Sequence, residues 1–181
     1  MFFQPKEIIL KDSRRCVLRS PKIEDASIML DFLKVISSET HFLLMTPQEV
    51  IDSVEQEKDY LNSINSSDNR LMITAFVEGE VAGNCQVSIH TKKKTRHRCD
   101  IAIALKSKFW NLGLGTAMIN ELIITAKNNG CTQMELEFIE GNTRAKALYE
   151  KMGFYIIGER KNSIRLEDGT FLSEFLMIKE L

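Results

Sequence analysis

The segment Phe109-Trp110-Asn111-Leu112-Gly113-Leu114-Gly115-Thr116 lies between the apolar run Ile101-Ala102-Ile103-Ala104-Leu105 and a helix-like run from Met118 to Lys127. A glycine pair at such a strand-to-helix junction lets the backbone turn sharply, and the first amides of the helix find no partner inside it. Those amides and the positive end of the helix dipole suit a diphosphate. The glycines equally serve a tight turn that holds nothing, and the pair alone leaves both readings open. Two common phosphate loops are excluded. Met118 stands where the dinucleotide fingerprint needs its third glycine, and no Gly-Lys-Ser/Thr follows.

Downstream, Gly130 stops the helix, Thr132 to Phe138 reads as a second strand, and Asn142-Thr143-Arg144-Ala145-Lys146-Ala147-Leu148-Tyr149-Glu150-Lys151-Met152-Gly153-Phe154 follows. Here the chain resembles the GNAT superfamily of acyl-CoA-dependent N-acetyltransferases. Its signature pairs a Gly-x-Gly/Ala loop with Asn-x-x-Ala-x-x-x-Tyr-x-x-x-Gly-Phe, and every position is filled. The match is specific over residues 99–158, looser over 71–177 and weak before Leu71. Trp110 replaces the Gln or Arg usual in the family three residues before the first glycine, which points to a RimJ/RimL-like branch. The run from Arg165 to Met177 also resembles that branch, with Ser173 where Asp is frequent. The resemblance implies a mixed α/β (α+β) fold in one domain spanning 1–181. Its central, mostly antiparallel sheet is splayed between two parallel central strands, with helices on both faces.

The resemblance further implies direct transfer of acetyl from acetyl-CoA to a primary amine in a ternary complex, through a tetrahedral intermediate and without an acyl-enzyme. The amides of Leu112, Gly113, Leu114, Gly115 and Thr116 then hold the pyrophosphate, and the Leu105 amide takes the thioester oxygen. Asn142 reaches the pantetheine arm, and Tyr149 protonates the departing thiolate. Read without the family, Leu105 is a plain core leucine, Asn142 a helix N-cap and Tyr149 a core-edge ring packed beside Phe154. For Trp110, an aromatic cover over the loop is the favoured reading.

A general base is needed. An amine of pKa about 10.4 is neutral in roughly one molecule in 2500 at pH 7, about 4.6 kcal/mol, whereas an α-amine near pKa 8 forfeits only about 1.4. Asp100 at the start of the central strand and Glu137 on the next are the candidate bases, and Glu39, before Phe42-Leu43-Leu44, is the candidate for the acceptor pocket. Each is otherwise a strand-end or surface charge. The lack of an obvious base leaves a second reading, a non-catalytic acyl-CoA-binding or sensing protein.

Within 181 residues, 24 lysines and arginines against 25 acids give a net charge of -1, which offers no general attraction to nucleic acid or membrane. Lys92-Lys93-Lys94-Thr95-Arg96-His97-Arg98 is a local exception, suited to an acidic acceptor, to the 3′-phosphate of coenzyme A, or to a solvated hairpin tip. Cys16, Cys85, Cys99 and Cys131 have no metal-ligand spacing and read as reduced apolar residues. Met1 to Glu7 hold no apolar stretch long enough for a secretory signal, so the expected setting is cytoplasmic. The acceptor is a protein α-amine or a small amine such as a polyamine, aminoglycoside or amino acid. A homodimer rests on the family alone.

Pattern places strands over residues 7–10, 14–19, 71–77, 81–90, 100–105, 154–160 and 171–181. A helix is expected from Ser20-Pro21 through Ile36, and another from the capping box Thr46-Pro47-Gln48-Glu49, with Val50, Ile51, Val54, Leu61 and Ile64 as its buried stripe. Asn62 to Asn69 reads as a loop.

Overall fold

The computed structural model describes residues 1–50 and 53–181. Strands β1 (Lys6–Ile9) and β2 (Arg15–Arg19) form the first hairpin, and β3 (Arg70–Val77) and β4 (Glu80–Ile89) form the second. Glu78 and Gly79 turn the second hairpin with φ of 53° and 82°. Two successive positive φ values give a turn whose twist matches that of the strands it joins.

The apolar run of β3 divides by parity. Leu71, Ile73, Ala75 and Val77 enter one core cluster, while Met72 and Phe76 enter another on the opposite face. Helices α1 (Ala26–Glu39) and α2 (Val54–Asn65) cover the second cluster with Met29, Phe32, Ile36, Leu61 and Ile64. Helices α3 (Leu114–Asn128) and α4 (Thr143–Lys151) cover the first with Met118, Ile119, Leu122, Ala126 and Tyr149. A sheet buried on both faces explains why its central strands read as continuous apolar runs.

The remaining strands are β5 (Arg98–Leu105), β6 (Gln133–Ile139), β7 (Tyr155–Arg165) and β8 (Phe171–Glu180). The eight strands run in the order β1-β2-β3-β4-β5-β6-β8-β7, and only the β5/β6 pair is parallel. That pair matches Arg98 with Gln133, Cys99 with Met134 and Asp100 with Glu135, and no further. Both strands continue past this point, so the sheet opens into a V between Ile101–Leu105 and 136–139.

The first two helices begin later than pattern suggests. The first opens with a short 3-10 turn, Ile23–Asp25, in which the Asp25 carboxylate accepts the Lys22 N–H at 2.7 Å. At the second, the Glu49 carboxylate accepts the Thr46 N–H at 2.8 Å as a capping box should, yet this box closes only the 3-10 turn Pro47–Glu49. The α-helix has its own box, Ser53 with Gln56, and begins at Val54. Val54, Leu61 and Ile64 join its core stripe, whereas Ile51 falls outside the described residues. α2 also runs on to Asn65, which shortens the expected loop. No helix among the described residues is long and apolar enough to cross a membrane.

Candidate active site

The V exposes backbone groups that a closed sheet would pair. In an antiparallel ladder, hydrogen-bonded pairs alternate. Lys106 N–H donates to the Ala82 carbonyl and His90 N–H to the Arg98 carbonyl, both at 3.0 Å, so even-numbered residues of β5 face β4. The N–H and C=O of Ile103 and Leu105 therefore face the gap. On β6, Glu140 N–H donates to the Ser173 carbonyl at 2.8 Å and Leu181 N–H to that of Thr132 at 3.0 Å, which turns the backbone of Glu137 and Ile139 toward the gap from the other side. Asn142 N–H takes the Ile139 carbonyl at 3.1 Å, and the indole Nε1–H of Trp110 takes the Leu105 carbonyl at 3.0 Å. The N–H of Leu105 is left facing the cleft.

After β5 the chain makes the 3-10 turn Ser107–Phe109, passes Asn111 at φ 63° and Gly113 at φ 85°, and enters α3. The left-handed conformation at Gly113 is one that a side chain adopts only with strain. The first backbone donation of the helix is Ala117 N–H to the Gly113 carbonyl at 3.1 Å, so the amides of residues 112–116 make no backbone hydrogen bond among the described residues. Gly115 is needed for a different reason. A Cβ there would stand 2.9 Å from Leu148 Cδ2 and 3.3 Å from Leu105 Cδ1, so its absence lets α3 nest against α4 and the end of β5.

Two adjoining cavities flank this junction and share Leu105, Trp110, Thr143, Arg144 and Leu148 as walls. One, of about 510 Å³, is the loop cradle, bordered by Gly113, Gly115 and Thr116 and by three cations, Lys11, Arg144 and Lys151. The Lys11 side chain lies along Gly113, and Lys151 Nζ donates to Thr116 Oγ1 at 3.3 Å. The other, of about 450 Å³, lies in the V itself and continues to Thr40, Phe42, Leu43 and Leu44 beyond α1. The three cations are absent from the sequence reading. Arg144 and Lys151 sit seven apart on α4, two turns along one face, and that spacing was the signal to find them. Lys11 carries none.

Tyr149 and Glu137 both line the cavity in the V. Tyr149 is 7% exposed, its ring between Phe138 and Phe154 with centroids 6.4 and 6.1 Å away, and burial pushes its hydroxyl up to about 12. Glu137 reaches the cavity from β6 and pairs with Arg160, which also binds Glu174 at 2.7 Å. Asn142 Oδ1 accepts the Ala145 N–H at 3.2 Å, the N-cap role, and the residue also lines the cavity, which leaves its amide NH₂ for a ligand.

Two candidate residues are elsewhere, and the basic run forms the hairpin tip between β4 and β5, one of its three expected settings. Asp100 belongs to the last paired rung of β5 and β6, five residues and about 17 Å before Leu105, and its carboxylate binds His90 Nε2 at 2.8 Å. It borders neither cavity. Glu39 is committed to the loop: its carboxylate accepts the Ser107 N–H at 2.7 Å and hydroxyl at 2.9 Å, tying the end of α1 to the turn after β5. Its neighbour Thr40 lines the pocket instead. The basic run Lys92 to Arg98 precedes β5, whereas the glycine loop follows it, so the run lies at the far end of the sheet from the cradle. Its last member, Arg98, clamps Glu135 at the closed end of the V.

The same architecture recurs among known proteins. The chain is 26% identical over 108 residues to the L-amino acid N-acetyltransferase AaaT of Escherichia coli (strain K12), an alignment covering 59% of this chain and 66% of that relative. An acetyltransferase of the GNAT family from Streptococcus pneumoniae superposes with a TM-score of 0.85 at 30% identity, over 92% of this chain and 99% of that one. Mycobacterium smegmatis RimJ, solved in complex with CoA-disulfide, shares the fold at a TM-score of 0.77 and 15% identity, over 97% of this chain and 86% of that one. The sequence between residues 38 and 154, more than half of the chain, matches the Acetyltransferase (GNAT) family, and the chain belongs to that family.

Proposed function

We propose that this protein is an acetyl-CoA-dependent N-acetyltransferase that passes the acetyl group directly to a primary amine. The observation that carries the reading is the adjacency of the two cavities, which share Leu105, Trp110, Thr143, Arg144 and Leu148 where the V meets the loop. One offers unpaired amides and three cations, and the other offers a carboxylate and a buried phenol. The residues present fit the donor. Amides 112–116 with Lys11, Arg144 and Lys151 face its diphosphate, while the open edges of β5 and β6 and the Asn142 amide face its amide-bearing arm. The acyl group then comes to rest near Leu105, whose N–H stabilises the oxygen on which charge develops; one such donor is worth about 3 kcal/mol. Tyr149 keeps its proton at neutral pH and gives it to the leaving sulfur.

Glu137 rather than Asp100 is our candidate to take the amine proton, directly or through water, because it alone of the two borders the cavity. For the acceptor, the outer wall of Phe42, Leu43 and Leu44 favours an amine beside an apolar group over a polyamine or aminoglycoside. The name of the Escherichia coli relative adds free amino acids to that class, beside protein α-amines. Four unpaired, buried cysteines accord with a cytoplasmic setting.

Calorimetry with acetyl-CoA, followed by release of coenzyme A in the presence of amino acids, short peptides and polyamines, tests the reading. Saturable binding with turnover on an apolar amine supports it, and no binding overturns it. Tight binding without turnover on any amine replaces it with the acyl-CoA sensor.

A further inference from the structure

In an extended strand the N–H and C=O of one residue point to the same side. Leu105 therefore offers the gap both a donor and an acceptor at the point where the proposed reaction builds negative charge on oxygen. The donor helps that oxygen and the bare acceptor opposes it, and a poorly hydrated cleft screens the repulsion weakly. The acceptor is not bare. Trp110 Nε1–H donates to the Leu105 carbonyl at 3.0 Å, and the N–H of the same peptide unit, on Lys106, donates to the Ala82 carbonyl at 3.0 Å. That peptide plane is clamped at both ends. The indole ring is held in turn by Arg144, whose guanidinium carbon lies 4.0 Å from the ring centroid. Arg144 belongs to the first turn of α4, the helix that carries Tyr149. Trp110 and Arg144 border both cavities, so the pair links the loop, the end of β5 and α4 at the boundary between them.

We infer that Trp110 is a positioning residue that caps the Leu105 carbonyl, so that the strand edge presents the acyl oxygen of the donor with an N–H and no opposing lone pair. The inference rests on the donor reading given above and adds to it a role for a side chain that makes no contact with the reacting atoms. An aromatic cover over the loop needs only the ring; this role needs the indole N–H.

Trp110 is the only tryptophan in the chain, so biosynthetic replacement of tryptophan by benzothienylalanine, with sulfur in place of the ring N–H, changes a single site. Calorimetry then compares acetyl-CoA with coenzyme A, which lacks the acyl oxygen. The expected result is a loss of about fivefold in acetyl-CoA affinity, the value of one ordinary hydrogen bond, with coenzyme A changed by less than about twofold. Trp110→Phe, which keeps a ring beneath Arg144 but no N–H, should split the two ligands in the same way, and its thermal unfolding checks the fold. Equal weakening of both ligands makes Trp110 a packing residue and overturns the inference, as does no change in either. Failure of the natural protein to bind either ligand overturns the donor reading itself, and this inference with it. Independently of any ligand, the single indole proton in the NMR spectrum should exchange slowly with solvent; exchange at the rate of free indole removes the hydrogen bond on which the inference stands.

Discussion

Gly83 sits opposite Leu105 in the β4/β5 ladder, and its replacement by alanine tests whether the end of β5 is held in place. A Cβ at position 83 would lie 2.2 Å from Leu105 Cδ2 and 3.1 Å from the Ala104 carbonyl oxygen, where ordinary contact begins at 3.4 Å. The Leu105 methyl must withdraw by roughly 1 Å, which a flexible side chain does by changing rotamer, but the Ala104 carbonyl is in the ladder and has no such freedom. Overpacking of this kind costs about 1–3 kcal/mol, and relief of the glycine's conformational entropy returns about 0.5–1. The net loss of about 0.5–2 kcal/mol lowers the unfolding midpoint of a chain this size by roughly 1–8 °C. Leu105 lines both cavities, so its displaced side chain enters the path of the acyl group, and acetyl-CoA should bind about tenfold more weakly. Gly158→Ala is the control: its nearest neighbour, Leu176 Cδ1, is at 3.9 Å and its φ is not positive, so stability should hold or rise. The assays are thermal unfolding and calorimetry with acetyl-CoA. A Gly83→Ala protein with the natural midpoint and affinity would refute the argument, because Leu105 would then have slack where we place a fixed donor.

Gly113→Ala meets open space, its nearest neighbour a Lys11 carbon at 3.9 Å, but must adopt φ 85°; urea unfolding should show a loss of about 1–2 kcal/mol, partly recovered in Gly113→Asn. Tyr149→Phe should slow turnover roughly tenfold or more while the acetyl-CoA Kd stays within about twofold, and equal turnover at saturation removes the acid role. The same residue sets an alkaline limit. Burial raises its folded pKa to about 12 from a model-peptide value near 10, so the stability it confers is complete below pH 10 and is lost as pH rises through 12, a fall of about 3 kcal/mol that the phenylalanine variant should lack. On the acid side, the Arg98 hydrogen bonds hold the Glu135 carboxyl below its ordinary 4.5 at the closed end of the V, a contribution present above that value and lost as pH falls through the lowered one. Glu135→Gln should lose about 1–2 kcal/mol at pH 7 and flatten stability against pH below about 4.5, as read by urea unfolding across pH.

Most of the fold was legible because it follows from local rules. The Gly130 stop and the strand runs over 71–77 and 81–90 each need only neighbouring residues. Where a local signal had two outcomes, it misled: Thr46 and Glu49 form their capping box, but the box closes a single 3-10 turn, and a second box at Ser53 starts the helix. Gly83 was passed over, although an isolated glycine within a strand pattern can mark a close approach. What approaches it, Leu105, depends on strand register, which the pattern does not carry.

The site was legible where the backbone does the work and obscure where side chains converge from distant segments. Gly113 and Asn142 declare themselves because a positive φ and a helix cap each restrict the residue allowed. Glu39 and Glu137 look alike as letters, yet one is tied to Ser107 outside the cavity and the other, paired with Arg160, borders it, a difference made by which helix end and which strand meet in space. The distance of Asp100 from the cleft has a simpler cause. Parallel strands β5 and β6 pair at their N-terminal ends and part toward their C-terminal ends, so of β5 only the residues beyond Asp100 border the V. Chain order already forced this within the strand, because the glycine loop leaves β5 after Leu105 and the Lys92 to Arg98 turn that enters β5 must sit at its opposite end. The direction of the opening, rather than the density of charge, decides which residues the cleft can use.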